Sequence, residues 1–387
     1  MLQRDYYAAG ENGAMSELRE YKLSEIPKDC LRVWGRTNGS LDPLTVFWTA
    51  GGIELNAKAS EVWIEIEVDY SYYEPWASVL VNGAHVSRQM LQKGRYWICM
   101  FRNMSYDNAK SVRFMRDLQA MSSDQIAKLQ IHAVRTDGEL LPVMEKKYKL
   151  EFIGDSITSG EGTIGAKEEW DWISMFFSSV HNFPTLVSEA CNAECSIISQ
   201  SGWGILTGWD NNPNCALPKY YEMVCGLADG EQNRALGAKN PHDFASWQPD
   251  AIIINLGTND GGALEQPEWK DPETGETFKQ HQDENGIMLP EDAERLERSI
   301  ADFLKILRKN NPKAHLVWAY GMLGTKMTPY LREGIRKYQL ETGDGMVSFV
   351  LLPDTIEETV GSRSHPGQKS HLAAAQVLVP YLKAILQ

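Results

Sequence analysis

The stretch LEFIGDSITSGEGTIG, residues 150–165, decides how the second half of this chain is read. An apolar run ends in Gly154-Asp155-Ser156, and Gly160, Gly162 and Gly165 then spell G-x-G-x-x-G. Two chemistries need a tight turn at the end of a buried strand: a glycine loop that cradles phosphate, and a turn that presents a serine nucleophile. The dinucleotide pattern wants its first glycine at the strand end, whereas Gly160 comes after the Asp155-Ser156 turn. Near Thr185, where that pattern expects an acid closing a second strand, the chain reads FPTLVSEA. The glycines are therefore read as a flexible loop beside the first strand. The G-x-S-x-G elbow of α/β-hydrolases is absent around Ser156 as well.

Downstream, CSIIS, DAIIINLG, HLVWAYG and MVSFVLL are compact apolar runs of the kind a parallel sheet buries on both faces. Helical periodicity separates them. Leu296, Ile300, Phe303, Leu304 and Leu307 share one helical face, and HLAAAQVLVPYLKAIL closes the chain as a helix. This alternation predicts a doubly wound α/β domain with a mostly parallel sheet over 148–387. The polar stretches 208–248 and 262–292 are long for connections and are expected to form loops over the site.

Upstream the pattern is different. Val62, Ile64, Ile66 and Val68 alternate with Trp63, Glu65, Glu67 and Asp69, the period of a half-buried strand. Asn82-Gly83 sits between two apolar runs and signals a hairpin. YWICMF, SVRFM and LQIHAV continue the series, so residues 1–147 are read as an all-β sandwich with a short N-terminal extension. RTDGELLPVMEKK, 135–147, is read as the connector.

Composition limits the partners. The net charge of −14 over 387 residues argues against nucleic acid, since phosphate binding wants clustered Lys and Arg. No segment is apolar for long enough to span a membrane. The first 30 residues lack an apolar signal region, so a cytoplasmic chain is expected, or a secreted one if a leader was removed. Six cysteines are scattered; Cys191 and Cys195 have no second ligand pair at zinc spacing, so buried free thiols are expected, with no metal and no cofactor.

In open α/β sheets the ligand sits beyond the carboxyl ends of the strands. The segments there read Gly154-Asp155-Ser156, Ser201-Gly202-Trp203-Gly204 and Gly257-Thr258-Asn259-Asp260, with Ser364-His365-Pro366-Gly367 before the last helix. Each alone is an ordinary turn or cap. Together they supply a nucleophile, backbone and amide donors for an oxyanion, and a general base.

These four blocks resemble those of the SGNH (GDSL-like) hydrolase superfamily, whose signature residues are Ser, Gly, Asn and His. With a β-sandwich ahead of them, the plan is similar to carbohydrate esterase family two, in which a jelly-roll domain precedes the SGNH domain. The resemblance implies a flavodoxin-like catalytic sheet and the removal of acetyl groups from sugars or polysaccharides, as in acetylxylan esterases. It also implies Ser156 as nucleophile, Ser156, Gly202 and Asn259 as oxyanion donors, and His365 as base. Alternatives are a lipase-like or thioester-cleaving SGNH enzyme, and a carbohydrate-binding protein with a degenerate hydrolase domain.

One position departs from the superfamily. Where an aspartate usually stands three residues before the histidine, this chain has Ser362. The family resembled includes Ser–His dyads, so the expectation is that a backbone carbonyl in 361–364 takes the Nδ1 proton; Asp354, Glu357 and Glu358 are the alternative acceptors. Asp155 is read mainly as an acceptor shaping the turn, and also as a candidate substrate contact. Among twelve tryptophans, Trp203 and Trp209 are candidate sugar platforms, with Trp170 and Trp172 less so. Oligomeric state is not legible.

Overall fold

A computed structural model describes residues 17–386. Two antiparallel sheets come first. One contains Arg19–Lys22, Lys128–Thr136, Val62–Asp69 and Gly94–Phe101, with Leu44–Thr45 beside Lys128–Thr136. The other contains Glu139–Leu141, Gly52–Lys58, Lys110–Arg116, Trp76–Val81 and Ala84–Met90, with Leu31–Trp34 beside Gly52–Lys58. Strand Val62–Asp69 alternates buried and half-buried along its whole length, and Ile64, Ile66 and Val68 meet Ile53, Leu55, Val79 and Phe114 in the core. Asn82 and Gly83 both have positive φ (51° and 79°), the type I′ requirement, between Trp76–Val81 and Ala84–Met90. The expected connector 135–147 differs: Glu139–Leu141 adds an edge strand to Gly52–Lys58. Three residues are too few to leave a periodic signal.

The second half carries five parallel strands, Tyr148–Gly154, Ala193–Ser199, Ala251–Asn255, His315–Gly321 and Val347–Leu352, in spatial order 2-1-3-4-5. Helices cover both faces, which explains the unbroken apolar run AIIIN. Ile252 and Ile254 pack with Leu296, Ile300, Phe303, Leu304 and Leu307 of helix Pro290–Asn310 on one side. Ile253 packs with Phe183 and Val187 of Phe183–Ala190, and with Ala374 and Leu378 of Gln368–Ile385, on the other. All six cysteines are free thiols, four of them buried.

The sandwich is bolted onto the α/β domain by buried polar side chains. Trp48 Nε1 donates to the Val224 carbonyl at 2.8 Å, and Arg36 donates to Glu151 at 3.2 Å and to the Tyr221 and Met223 carbonyls. Residues 221–224, within one of the polar stretches expected over the site, therefore meet this seam, their carbonyls serving as the acceptors these donors need. The segment after Lys110–Arg116 is organised by Arg116, which is 4% exposed and donates to the carbonyls of Leu118 (2.7 Å), Val46 (2.9 Å) and Gln119 (2.8 Å). Burial pushes this guanidinium down to about 10, so it stays charged at neutral pH.

Arg116→Met should leave those three carbonyls without a donor. The expected cost is about 3 kcal/mol in denaturant unfolding, since each buried unsatisfied group forfeits about 1–3 kcal/mol and relaxation recovers part of it. An unchanged midpoint would show that the segment is held by something else.

Candidate active site

The strand order decides which loops meet. Tyr148–Gly154 lies between Ala193–Ser199 and Ala251–Asn255, and Gly154 is level with Ser199 on one side and Asn255 on the other. The turn carrying Ser156 therefore emerges between the loop carrying Gly202 and the loop carrying Asn259, at the point where strand order reverses.

Asp155 caps the short helix Ser156–Ser159, its Oδ1 accepting from the Ile157 N–H at 3.0 Å. Ser156 is the first residue of that helix, so its N–H is one of the donors a helix leaves unpaired. Among the described residues neither the Ser156 N–H nor the Gly202 N–H has a protein acceptor. Gly202 has a φ of +78°, and a Cβ there would come 3.0 Å from the Trp209 ring. Glycine suits both the left-handed backbone and the close approach of that ring.

His365 Nε2 lies 3.0 Å from Ser156 Oγ, and its Nδ1 lies 2.8 Å from the Arg363 carbonyl oxygen. A carbonyl only accepts, so Nδ1 carries the proton; in the neutral ring Nε2 is then the acceptor for the serine hydroxyl. The alternative acids are elsewhere: Asp354 accepts from the Gly324 N–H at 2.9 Å, and Glu357 pairs with Lys167 at 3.2 Å. Glu358 is exposed. Ser362 is buried and offers no carboxylate.

The glycine-rich loop turns out to be the seat of the histidine turn, not a phosphate cradle and not a loose loop. The Ser362 N–H donates to the Gly162 carbonyl at 3.1 Å. A Cβ on Gly162, whose φ is +72°, would sit 2.5 Å from the Ser362 carbonyl oxygen and 2.7 Å from His365 Cβ. Glycine is demanded there by contact. His371, the second histidine of the SHPGQKSH run, is wholly buried; its Nδ1 accepts from the Phe183 N–H at 3.1 Å and its Nε2 faces Thr163 Oγ1 at 2.9 Å. Burial pushes it down to about 3, so it is a neutral structural bridge.

Asn259 reaches the site, but its amide nitrogen is occupied. It donates to the Trp203 carbonyl at 2.8 Å and to Asp155 Oδ2 at 3.2 Å, so both protons point into the protein in this resting geometry. An oxyanion would have to take the longer of these bonds. Two expected substrate contacts do not fit the structure. Asp155 has no exposed surface and its oxygens serve Ile157 and Asn259. Trp203 is 8% exposed and packs against Tyr220, because its carbonyl and ring support the loop. Trp209 is half exposed beside Gly202. Trp170 is more exposed still, and the neighbouring Glu169 carbonyl accepts from the Arg363 N–H at 2.8 Å.

Several contributing residues escape sequence reasoning. Asp260 gathers the N–H groups of Ile205 and Leu206 at 2.9 and 2.8 Å, folding the loop beyond Gly202; its place in GTND was the available signal. Gln119 comes from the sandwich half, is 1% exposed, and its Oε1 accepts from the Ser201 N–H at 2.8 Å and the Ser159 hydroxyl at 2.9 Å. No local pattern marks it. Glu161 is 3% exposed, and its Oε1 stands 3.2 Å from Arg363 Nε and 3.7 Å from His365 Nε2. The sign was an acid between two glycines in SGEGTIG. Among the described residues no group of three or more His, Cys, Asp or Glu is placed to hold a metal ion. A cavity of about 360 Å³ at the domain seam, lined by Arg36, Glu151 and Trp247 among others, includes none of the four blocks.

Burial, opposed by the Ile157 N–H bond and reinforced by the Asp260 and Glu161 charges, pushes Asp155 from 3.8 up to about 7. Ionising it costs more in the folded chain than in the unfolded one. Its contribution to stability is therefore complete below pH 3.8 and is lost as pH rises toward 7. Asp155→Asn cannot ionise and escapes that loss. Paired thermal melts should show the Tm difference moving in the variant's favour from about pH 4 to about pH 7, then levelling; a difference independent of pH would contradict the assignment.

The profile of the GDSL-like lipase/acylhydrolase family matches residues 150–378. The structure of an acetyl xylan esterase, Est2A, from the rumen bacterium Butyrivibrio proteoclasticus superposes with a TM-score of 0.94 at 46% identity, over 95% of this chain and 98% of that one. The acetylxylan esterase / glucomannan deacetylase of Cellvibrio japonicus is 21% identical over 391 residues, 100% of this chain and 97% of that protein. The cellulase/esterase CelE of Acetivibrio thermocellus is 22% identical over 87% of this chain, which spans only 37% of that longer protein. With the profile covering more than half its length and the two-domain plan shared with a relative at 46% identity, this chain belongs to the GDSL-like lipase/acylhydrolase family.

Proposed function

We propose that the chain is a serine esterase that removes O-acetyl groups from carbohydrates, working through an acetyl-enzyme on Ser156 with His365 as base. The observation that carries this reading is the unbroken relay from Ser156 Oγ to Nε2 and from Nδ1 to the Arg363 carbonyl, at 3.0 and 2.8 Å. The names of Est2A and the Cellvibrio relative supply the substrate class. The ring takes the hydroxyl proton as Ser156 attacks the ester carbonyl. The developing oxyanion is offered the Ser156 and Gly202 N–H groups, with the Asn259 amide joining by releasing Asp155. The sugar oxygen leaves with the proton held on Nε2. Water, activated by the same nitrogen, then frees acetate.

The carbonyl supplies what the usual aspartate mainly supplies, which is tautomer and orientation. A built dyad weighs against a degenerate binding protein, and acyl length separates deacetylation from lipase-like cleavage.

Ser156→Ala should abolish both aryl acetate turnover and covalent labelling by a fluorophosphonate, and His365→Ala should lower kcat by about 10³–10⁴. Acetyl esters should be cleaved faster than octanoyl esters, and acetylated xylan or glucomannan should release acetate. A preference for long acyl chains would reject the deacetylase reading.

Ser362→Ala should keep kcat within about tenfold, because a residue that only lines the turn carries no more than about 1.4 kcal/mol of the barrier. A loss of about 10³ would mean that the hydroxyl, and not the Arg363 carbonyl, holds the ring in its working tautomer.

A further inference from the structure

The dyad leaves one charge unbalanced. When the serine proton arrives, the imidazole becomes a cation, and the group facing Nδ1 is a neutral carbonyl. A triad aspartate would answer that charge from the Nδ1 side. Among the described residues Glu161 is the carboxylate within 4 Å of the ring, and it lies on the other side, with Oε1 3.7 Å from Nε2.

We propose that Glu161 is the acidic partner of the catalytic histidine, a positioning residue that balances the imidazolium from the Nε2 side and secures the carbonyl on the Nδ1 side. Three observations converge. The carboxylate is 3% exposed, so its charge is little screened by water, and its Oε1 makes no aligned hydrogen bond beside its ion pair with Arg363. Its backbone N–H donates to the Ser156 carbonyl at 3.0 Å, and flanking Gly160 and Gly162 both have positive φ, which fixes the acid against the nucleophile turn. Its remaining neighbour is Arg363, at 3.2 Å. That is the residue whose carbonyl holds Nδ1, and its left-handed backbone (φ 54°, ψ 35°) is a conformation that needs outside support.

In the reaction Glu161 exchanges no proton. The hydroxyl proton passes to Nε2 as the Oγ–C bond forms, the ring is cationic while the carboxylate stands beside it, and the same proton leaves with the sugar oxygen. The proposal rests on the Ser156–His365 reading, and the test separates the two.

Glu161→Gln, isosteric but neutral, should lower kcat for aryl acetate by about 10- to 100-fold while KM stays within about twofold, and should slow fluorophosphonate labelling of Ser156 to the same degree. Should Glu161→Gln fail to fold, Glu161→Asp, which keeps the charge but withdraws it from the ring, should lower kcat by about three- to tenfold. A folded Glu161→Gln or Glu161→Asp variant with kcat within about twofold of an active parent overturns this proposal and leaves the dyad standing. A parent that neither turns over nor labels at Ser156 overturns the dyad and this proposal together.

Discussion

A single peptide carbonyl, that of Arg363, holds the imidazole of His365 at 2.8 Å, and the surrounding chain is arranged to keep that carbonyl still. Arg363 and Ser364 both lie in the left-handed region, with φ of 54° and 55°. Such backbone costs on the order of 1–3 kcal/mol per residue and persists only where neighbours over-determine it. Here the Ser362 N–H is held by Gly162, the Arg363 N–H by Glu169, and the Gly361 N–H by the His365 carbonyl at 2.7 Å. The acceptor is thus a backbone carbonyl whose turn is held by three backbone hydrogen bonds.

That arrangement accounts for the glycines that first suggested a nucleotide. A turn of backbone packed against another turn of backbone leaves no room for Cβ atoms: one on Gly162 would meet the Ser362 carbonyl, and one on Gly361 the Gly162 carbonyl. Phosphate loops and this loop look alike in sequence because both bring backbone to within contact distance of a partner. In one the partner is an anion; in the other it is the protein itself.

The β-sandwich reaches the candidate site. Gln119 reaches from it into the angle between the Ser156 helix and the Gly202 turn and ties both through one oxygen. Arg116 holds the Gln119 carbonyl in turn, and it is a charged donor with only carbonyl partners among its hydrogen bonds. The positive charge strengthens those bonds in a buried setting, and losing any one of them would leave the charge less compensated. The relative placement of the two halves is therefore stiff where the chemistry needs it.

How much of this was legible in the sequence follows from the range of each interaction. Periodicity is a local property, so Val62–Asp69, the Asn82-Gly83 hairpin, the apolar parallel strands and helix Pro290–Asn310 could all be read from their own residues. The four blocks could be read because each sits just past a strand end, and strand ends in such sheets point to one edge. Ser156, Gly202, Asn259 and His365 were in view for that reason. The flexible-loop reading of residues 160–165, the connector at 135–147 and the candidate substrate contacts at Trp203 and Asp155 differ from the structure, because each depends on what packs against the segment, whereas Asp155 is the turn-shaping acceptor its place in the sequence suggested. Gln119 and Glu161 lay beyond reach for the same cause, since their partners are 40 or more residues away in the chain, whereas the expected carbonyl acceptor in 361–364 is that of Arg363, two residues from the ring it holds. The sequence by itself determined which residue types could perform the chemistry and on which edge of the sheet they would appear. Only the tertiary structure decided which of them hold hydrogen bonds to one another, since those contacts form when strand order and domain docking bring distant turns together.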